Sequence, residues 1–293
     1  MKVLAIVGPT GSGKSELALK IAERVPAEII SCDSVQLYRG FDIGTDKVPE
    51  EVRRRVPHHM IDVIPGCRRF SAAEYAKMAA EVIREVHRRG RLPVVVGGTL
   101  LYFRALERGL FPLGPVGEGF RKKWHEHPEE LRRRSMELDP SYYVKIGPND
   151  GKRMIRLMEI FYSSGKNMSE AVELTSPPLP EAKFLKFALK LPREELYRRI
   201  ERRTEEMFKK GLVEEVRRLL ALGYPPDCPP FEAIGYKEAL AFVRGEIDLE
   251  TAVRLVKKHT KEYARRQLMW LRREEGIIWI KPGEVQRILE EVH

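Results

Sequence analysis

The feature that most restricts the fold is a short run near the start, Gly8-Pro9-Thr10-Gly11-Ser12-Gly13-Lys14-Ser15. It lies between an apolar stretch, Lys2–Val7, and a segment of helical periodicity. A run of the form G-x-x-x-x-G-K-[ST] wraps backbone N–H groups around an anion when a strand leads in and a helix leads out, and both neighbours are present here. The glycines let successive N–H groups turn inward, and the helix N-terminus adds its dipole. Lys14 is expected to reach the terminal phosphates, and Ser15 to ligate Mg²⁺. The run therefore reads as a site for a di- or triphosphate group.

The same rhythm continues. Gly13 to about Val25 has helical spacing, with Leu17, Ala18, Ile21 and Ala22 on one side. Ala27–Cys32 is a second apolar run, and Leu92–Val96 a third. Between them, Glu74 to about Arg89 is helical, with a stripe of Met78, Val82, Ile83 and Val86. Strands that alternate with helices predict an α/β fold, a parallel sheet with helices on both faces. After Pro112-Leu113-Gly114-Pro115 the pattern becomes purely helical, until Ser176-Pro177-Pro178-Leu179-Pro180 breaks it. Strands at Phe184–Leu191 and Ile277–Lys281 then rejoin the sheet, around helices at 193–222, 231–243 and 248–273. Residues 1–115 and 181–293 thus form the core, and 116–180 a small helical insertion domain.

Lys plus Arg number 53 and Asp plus Glu 43, a formal charge of +10, which suits an anionic partner such as nucleic acid or a phosphorylated metabolite. The surplus is localised. Residues 121–156 carry ten Lys or Arg against six Asp or Glu, and residues 254–273 carry eight against Glu262 alone. His259, Tyr263, Gln267 and Trp270 are interleaved on one helical face of the latter stretch, which reads either as a nucleic-acid face or as core packing. No apolar stretch is long enough to span a membrane and no leader is evident, so a cytoplasmic protein is expected. Cys32, Cys67 and Cys228 make neither a disulfide framework nor a zinc pattern, and reduced thiols are expected. Three Gln and two Asn are few, in the direction of hot-environment proteins. Adjacent His58 and His59 cannot easily face one ion and read as packing and hydrogen-bonding residues.

In such sheets ligands bind at the carboxyl ends of strands. The second run closes at Asp33 and the third at Gly97-Gly98-Thr99, with no carboxylate. Phosphoryl-transferring P-loop proteins hold Mg²⁺ with an Asp at a later strand end, and its absence argues against a small-metabolite kinase. Asp33 is a general base, a metal ligand or a turn cap.

Several further segments, in order along the chain, carry a family resemblance. They are Ile30-Ser31-Cys32-Asp33-Ser34-Val35-Gln36-Leu37-Tyr38-Arg39-Gly40-Phe41-Asp42-Ile43-Gly44-Thr45, Pro57-His58-His59-Met60-Ile61-Asp62 and Val96-Gly97-Gly98-Thr99-Leu100-Leu101-Tyr102. Pro148-Asn149-Asp150, Ile234-Gly235-Tyr236 and Ala264-Arg265-Arg266-Gln267-Leu268-Met269-Trp270-Leu271-Arg272 follow. With the phosphate loop, these make the chain resemble the tRNA dimethylallyltransferase family over nearly its whole length. The resemblance implies a P-loop kinase-like fold that transfers no phosphate. It implies transfer of the dimethylallyl group of dimethylallyl diphosphate to N6 of adenosine at tRNA position 37, with Mg²⁺. By the same resemblance Asp33 is the proton acceptor, Thr99 approaches the diphosphate near the scissile bond, and Arg217 contacts the diphosphate. Asp33, Ser34, Val35 and Gln36 would line the pocket of the flipped base. Gly235, Arg265, Arg266, Gln267 and Arg272 would contact the anticodon stem-loop, as would Lys152, Arg153, Arg156 and Arg121. Before Arg121 the chain departs from the family pattern, reading Pro115-Val116-Gly117-Glu118-Gly119-Phe120. The helical insertion would clamp the other side of the stem-loop, and a monomer is expected. The competing readings are a small-metabolite kinase, a transferase acting on free adenine nucleotide, and a non-catalytic RNA-binding module.

Overall fold

A computed structural model describes residues 1–113, 116–117 and 119–292. The chain divides into two units, Met1–Glu107 with Glu181–His293, and Arg108–Pro180. The second unit begins at Arg108 rather than at residue 116. The expected break at Gly114-Pro115 lies outside the described residues.

The first unit opens with β1 (Lys2–Val7), α1 (Lys14–Ala22), β2 (Ala27–Cys32), α2 (Glu50–Arg55), β3 (His58–His59), α3 (Ala72–Arg88), β4 (Leu92–Gly97) and α4 (Leu100–Arg108). The second unit holds α5 (Phe120–Glu126), α6 (Pro128–Leu138), α7 (Pro140–Ile146), α8 (Gly151–Ser164) and α9 (Met168–Glu173). It has its own core of Trp124, Leu131, Met154, Ile155, Leu157 and Met158. The chain returns to the first unit through β5 (Lys183–Leu189), α10 (Arg193–Lys209), α11 (Leu212–Ala221), α12 (Tyr236–Val243), α13 (Leu249–Leu271), β6 (Ile277–Ile280) and α14 (Val285–Val292). Gly211, at φ +95, splits the single helix expected over 193–222, because its left-handed conformation cannot continue an α-helix. No helix among the described residues is long and apolar enough to cross a membrane.

The six strands form one all-parallel sheet in the order β3-β2-β4-β1-β5-β6, an α/β fold with helices packed on it. All of β2, and β1 beyond Lys2, is buried, as expected of parallel strands covered on both faces. Leu4, Ile6, Val94, Val96 and Phe187 pack with Leu17 and Ile21 of α1 and with Ile288 and Leu289 of α14. The buried stripe of α3 is Tyr75, Ala79, Ile83 and Val86, rotated from the expected one; Met78 and Val82 are only half-buried. The Tyr75 hydroxyl donates to Ser31 O at 3.0 Å and fixes that rotation. β3 escaped the sequence reading because two residues give no periodicity. His59 bonds Glu28 at 2.6 Å and His58 bonds Val56 O at 2.7 Å, so the pair does pack and hydrogen-bond.

The cysteines correct a second expectation. Cys67 and Cys228 form a disulfide across 161 residues of sequence, and only Cys32 is a free thiol. Spacing could not show this, because the fold alone brings their Cα atoms to 4.8 Å. Chain entropy for a closed loop of this length is worth about 5 kcal/mol at most. The Cys67→Ser/Cys228→Ser variant is expected to unfold at lower denaturant, and a reductant should move the wild type in the same direction. Superimposable urea curves with and without reductant would count against the bridge.

Candidate active site

The register of the sheet assembles the site. Val7 and Cys32 both pair with Gly97 across the β4 ladders. Gly8, Gly98 and Asp33 therefore leave the sheet side by side. They open onto two cavities wholly within the first unit. One, of about 120 Å³, is lined by Thr10, Lys14, Ser15, Asp33, Asp46, Gly97 and Gly98 among others. The other, of about 290 Å³, is walled by apolar Val35, Ile200, Met207, Ile234 and Val256 with Thr99 and Thr204. Thr10, Asp33, Thr45, Arg203 and Tyr263 line both.

The phosphate loop enters α1 through Gly13, at φ +92 and without a capping side chain. The N–H groups of the first turn are thus left for an anion. In the loop before that turn, the Thr10 N–H donates to Gln267 Oε1 at 2.9 Å. Gln267 Nε2 donates to Gly98 O at 2.7 Å, and the residue is 4% exposed. A Cβ at Gly98 would collide with this amide. Gln267, expected among the RNA contacts, therefore spends its amide tying the loop to the end of β4.

The rest of its helical face also turns inward. His259 bonds the buried Glu238 at 2.7 Å, and Tyr263 is within hydrogen-bonding reach of Thr99. Trp270 carries the Arg104 guanidinium at 4.3 Å. Burial, then the charge of Asp33, pushes the Tyr263 phenol up to about 12, so it stays protonated. The outer faces of α13 leave Arg265, Arg266 and Arg272 exposed. The four-four-three spacing of the polar and aromatic residues marks the inner face of α13.

Lys14 Nζ folds back onto Pro9 O at 2.7 Å. Burial, then the neighbouring Arg203 charge, lowers its pKa to about 7, while Asp33 opposes the shift. The Ser12 hydroxyl is buried in the loop with no hydrogen-bond partner among the described residues, a group that a bound phosphate oxygen would satisfy. No cluster of three or more acidic, His or Cys ligands exists among the described residues. The donor set fits Mg²⁺, which commonly takes one or two protein ligands and completes its shell with phosphate oxygens and water. Ser15, exposed at the start of α1 and lining the cradle, is the residue placed to supply one.

Asp33 Oδ1 accepts from the N–H groups of Val35, at 2.8 Å, and Gln36, at 3.2 Å. This local turn fixes the carboxylate and leaves Oδ2 open toward the cavities. Thr99 Oγ1 accepts from Ser34 N at 3.2 Å, so β2 and β4 are joined by their loops as well as their ladders. The Gln36 amide accepts from Ser31 Oγ at 3.0 Å and donates to Thr45 O at 3.2 Å, which holds the 36–45 loop. Burial pushes the Cys32 thiol up to about 12 and keeps it inert.

Arg217 lines neither cavity. It is more than half exposed, pairs with Glu214 at 3.7 Å and lies 6.0 Å from the Phe242 ring. The arginine at the cradle is Arg203, whose Nη1 donates to Thr10 Oγ1 at 2.9 Å. Its signal was present: Leu196, Ile200, Arg203 and Met207 fall on one face of α10, and the three apolar members are buried. A charge on that stripe faces the site. Gly235 precedes α12 at φ +99, and its N–H donates to Glu238 at 2.7 Å. In the second unit Arg121 pairs with the buried Glu159 at 2.5 Å and Arg156 with the same carboxylate at 3.5 Å. Arg153 bonds Asp150 at 3.0 Å, and Lys152 is exposed.

A glycine-rich loop at one strand end, an immobilised carboxylate at the second and a hydroxyl at the third share the carboxyl edge of one α/β sheet. A family profile described as IPP transferase matches residues 36–274. The tRNA dimethylallyltransferase of Geobacter metallireducens is 41% identical over 99% of this chain and 96% of its own length. That of Thermomicrobium roseum is 42% identical over 99% and 90%. The crystal structure of the full-length tRNA isopentenylpyrophosphate transferase of Bacillus halodurans matches with a TM-score of 0.74 and 35% identity, covering 99% of this chain and 95% of that one. A eukaryotic dimethylallyltransferase acting on tRNA matches with a TM-score of 0.81 and 27% identity, covering 96% and 73%. The chain belongs to the tRNA dimethylallyltransferase (IPP transferase) family.

A lysine poised near neutrality makes anion binding sensitive to pH. A diphosphate bound at this loop would favour the ammonium form and raise the Lys14 pKa, so binding is expected to take up protons from about pH 7 upward. Diphosphate affinity should be flat below that pH with respect to this group and fall as pH rises through it. Calorimetry in buffers of different ionisation enthalpy measures the uptake. No uptake at pH 8 would mean Lys14 is already charged or is not a contact.

Proposed function

We propose that this chain transfers the dimethylallyl group from dimethylallyl diphosphate to N6 of adenosine 37 in the tRNA anticodon loop, releasing diphosphate. The observation that carries the reading is Asp33. One of its oxygens is pinned by two backbone N–H groups while the other opens onto the cavities that hold the phosphate loop. An exocyclic adenine amine is a weak nucleophile because its lone pair is delocalised into the ring. It needs orientation and a proton acceptor more than it needs a strong base.

In the proposed step the N6–C1 bond forms as the bond from C1 to the diphosphate oxygen breaks, and Asp33 Oδ2 takes the N6 proton. Negative charge builds on the departing diphosphate. The first-turn N–H groups of α1 and the Arg203 guanidinium would meet that charge, with Lys14 released from Pro9 O to join them, and such electrostatic stabilisation is usually the largest catalytic contribution. Mg²⁺, when bound through Ser15, supplies further neutralisation of the same group. Thr99, joined to the loop after Asp33, lines the larger cavity and would stand near the scissile bond. The apolar walls of the larger cavity suit a prenyl group and the face of a base, which must first leave its stack at a cost of a few kcal/mol. Exposed Arg265, Arg266 and Arg272 on α13, with Arg121, Lys152, Arg153 and Arg156 in the second unit, would carry tRNA phosphate contacts. The absence of a carboxylate at the end of β4 weighs against a small-metabolite kinase.

Unmodified tRNA, labelled dimethylallyl diphosphate and Mg²⁺ should yield label in adenosine. ATP consumption without label would replace this reading by the kinase. Asp33→Asn keeps the turn's acceptor but not the base and should lower turnover by about 10²–10⁴-fold while diphosphate still binds. Near-normal turnover would remove Asp33 as the base. Affinity for tRNA should fall steeply with salt as counterions are released. A flat salt response would count against tRNA as acceptor.

A further inference from the structure

Asp46 is one of three non-glycine residues with a left-handed backbone, at φ +52, among the described residues. Its conformation is held from several sides. Its N–H donates to Ile43 O at 3.1 Å. The buried Glu215 carboxylate accepts from the N–H groups of Asp42 and Ile43 at 3.0–3.2 Å, and Tyr236 donates to the same carboxylate. Lys47 Nζ reaches Tyr38 O at 2.6 Å and Asp62 at 2.6 Å. A strained residue persists only where its surroundings over-determine it, and such residues cluster at functional sites. Asp46 lines the phosphate cavity with its side chain half exposed, and its carboxylate forms an ion pair with Arg203, 3.0 Å from Nε and outside hydrogen-bond geometry.

We propose that Asp46 is a positioning residue that holds Arg203 against the phosphate loop before the prenyl diphosphate arrives. The inference rests on the reading of the loop as the diphosphate site. Arg203 reaches the cavity from α10, with Thr10 Oγ1 on one side of its guanidinium and Asp46 on the other. Lys14 is its cationic neighbour, close enough to be disfavoured by it. Without Asp46, repulsion from Lys14 and the freedom of a long side chain both favour a guanidinium turned toward solvent. Donor binding would then have to order Arg203 at its own cost.

The left-handed backbone supplies clean test variants. Asn tolerates this conformation and removes only the charge; Gly adopts it without strain. Asp46→Asn and Asp46→Gly should therefore melt no lower than wild type. Each should weaken binding of inorganic diphosphate with Mg²⁺ by about fivefold, the upper range for a partly exposed ion pair. The donor KM should rise in parallel, while kcat and affinity for unmodified tRNA hold. On an Arg203→Lys background, Asp46→Asn should add little. Unchanged or tighter diphosphate binding in the single variants would overturn the proposal, as would a full additional effect on that background. If Arg203→Lys and Lys14→Ala leave diphosphate binding intact, the diphosphate-site reading itself fails. If they weaken it and Asp46→Asn does not, only the role of Asp46 falls.

Discussion

Everything in the site depends on the pairing of β4 between β1 and β2. Parallel ladders with Gly97 level with both Val7 and Cys32 make three segments far apart in sequence emerge at one edge. A parallel sheet imposes this because all its strands end on the same side. A phosphate loop, a carboxylate and a hydroxyl then face a common space without a long loop to carry any of them. Gln267 adds a cross-tie from α13, satisfying the Thr10 N–H and the Gly98 carbonyl together. The loops are thereby held by the rigid elements beneath and beside them, which is what a preorganised site requires.

The electrostatics of the cradle follow from burying two cations close together. Burial, and then the neighbouring Arg203 charge, lowers the Lys14 pKa. Asp33 opposes the shift at Lys14, and Asp46, on a left-handed backbone, pairs with Arg203. The +10 surplus of the chain has little to do with this small anion site. Much of it lies on the outer faces of α13 and on the second unit, where exposed arginines suit an extended phosphate backbone.

The strands β1, β2, β4, β5 and β6 were legible because continuous apolar runs closed by polar or glycine-rich residues have one reading in an alternating α/β chain. The two-residue strand β3 and the split at Gly211 were not, because neither changes the local pattern much. Arg217 and Arg203 illustrate the limit at the site. Both are arginines on charged helices, and only the position of Arg203 on the buried stripe of α10 separates them. The face of α13 that reads as either RNA-stacking or core points inward, since His259, Tyr263, Gln267 and Trp270 all find partners inside the first unit. The Cys67–Cys228 bridge had no signal in spacing at all.

The sequence by itself determined the phosphate loop, the strand-end Asp33 and Thr99, and the basic segments, because each is a local pattern with a local physical cause. A glycine-rich turn between a strand and a helix offers backbone N–H groups to an anion, and residues closing parallel strands lie at the edge where ligands bind. Tertiary structure decided which arginine lines the cradle, what Gln267 ties together, and which cysteines meet. Those outcomes depend on distances between elements far apart in the chain, set by the packing of α10, α13 and the 36–47 loop over the sheet. No periodicity within a single segment encodes such distances.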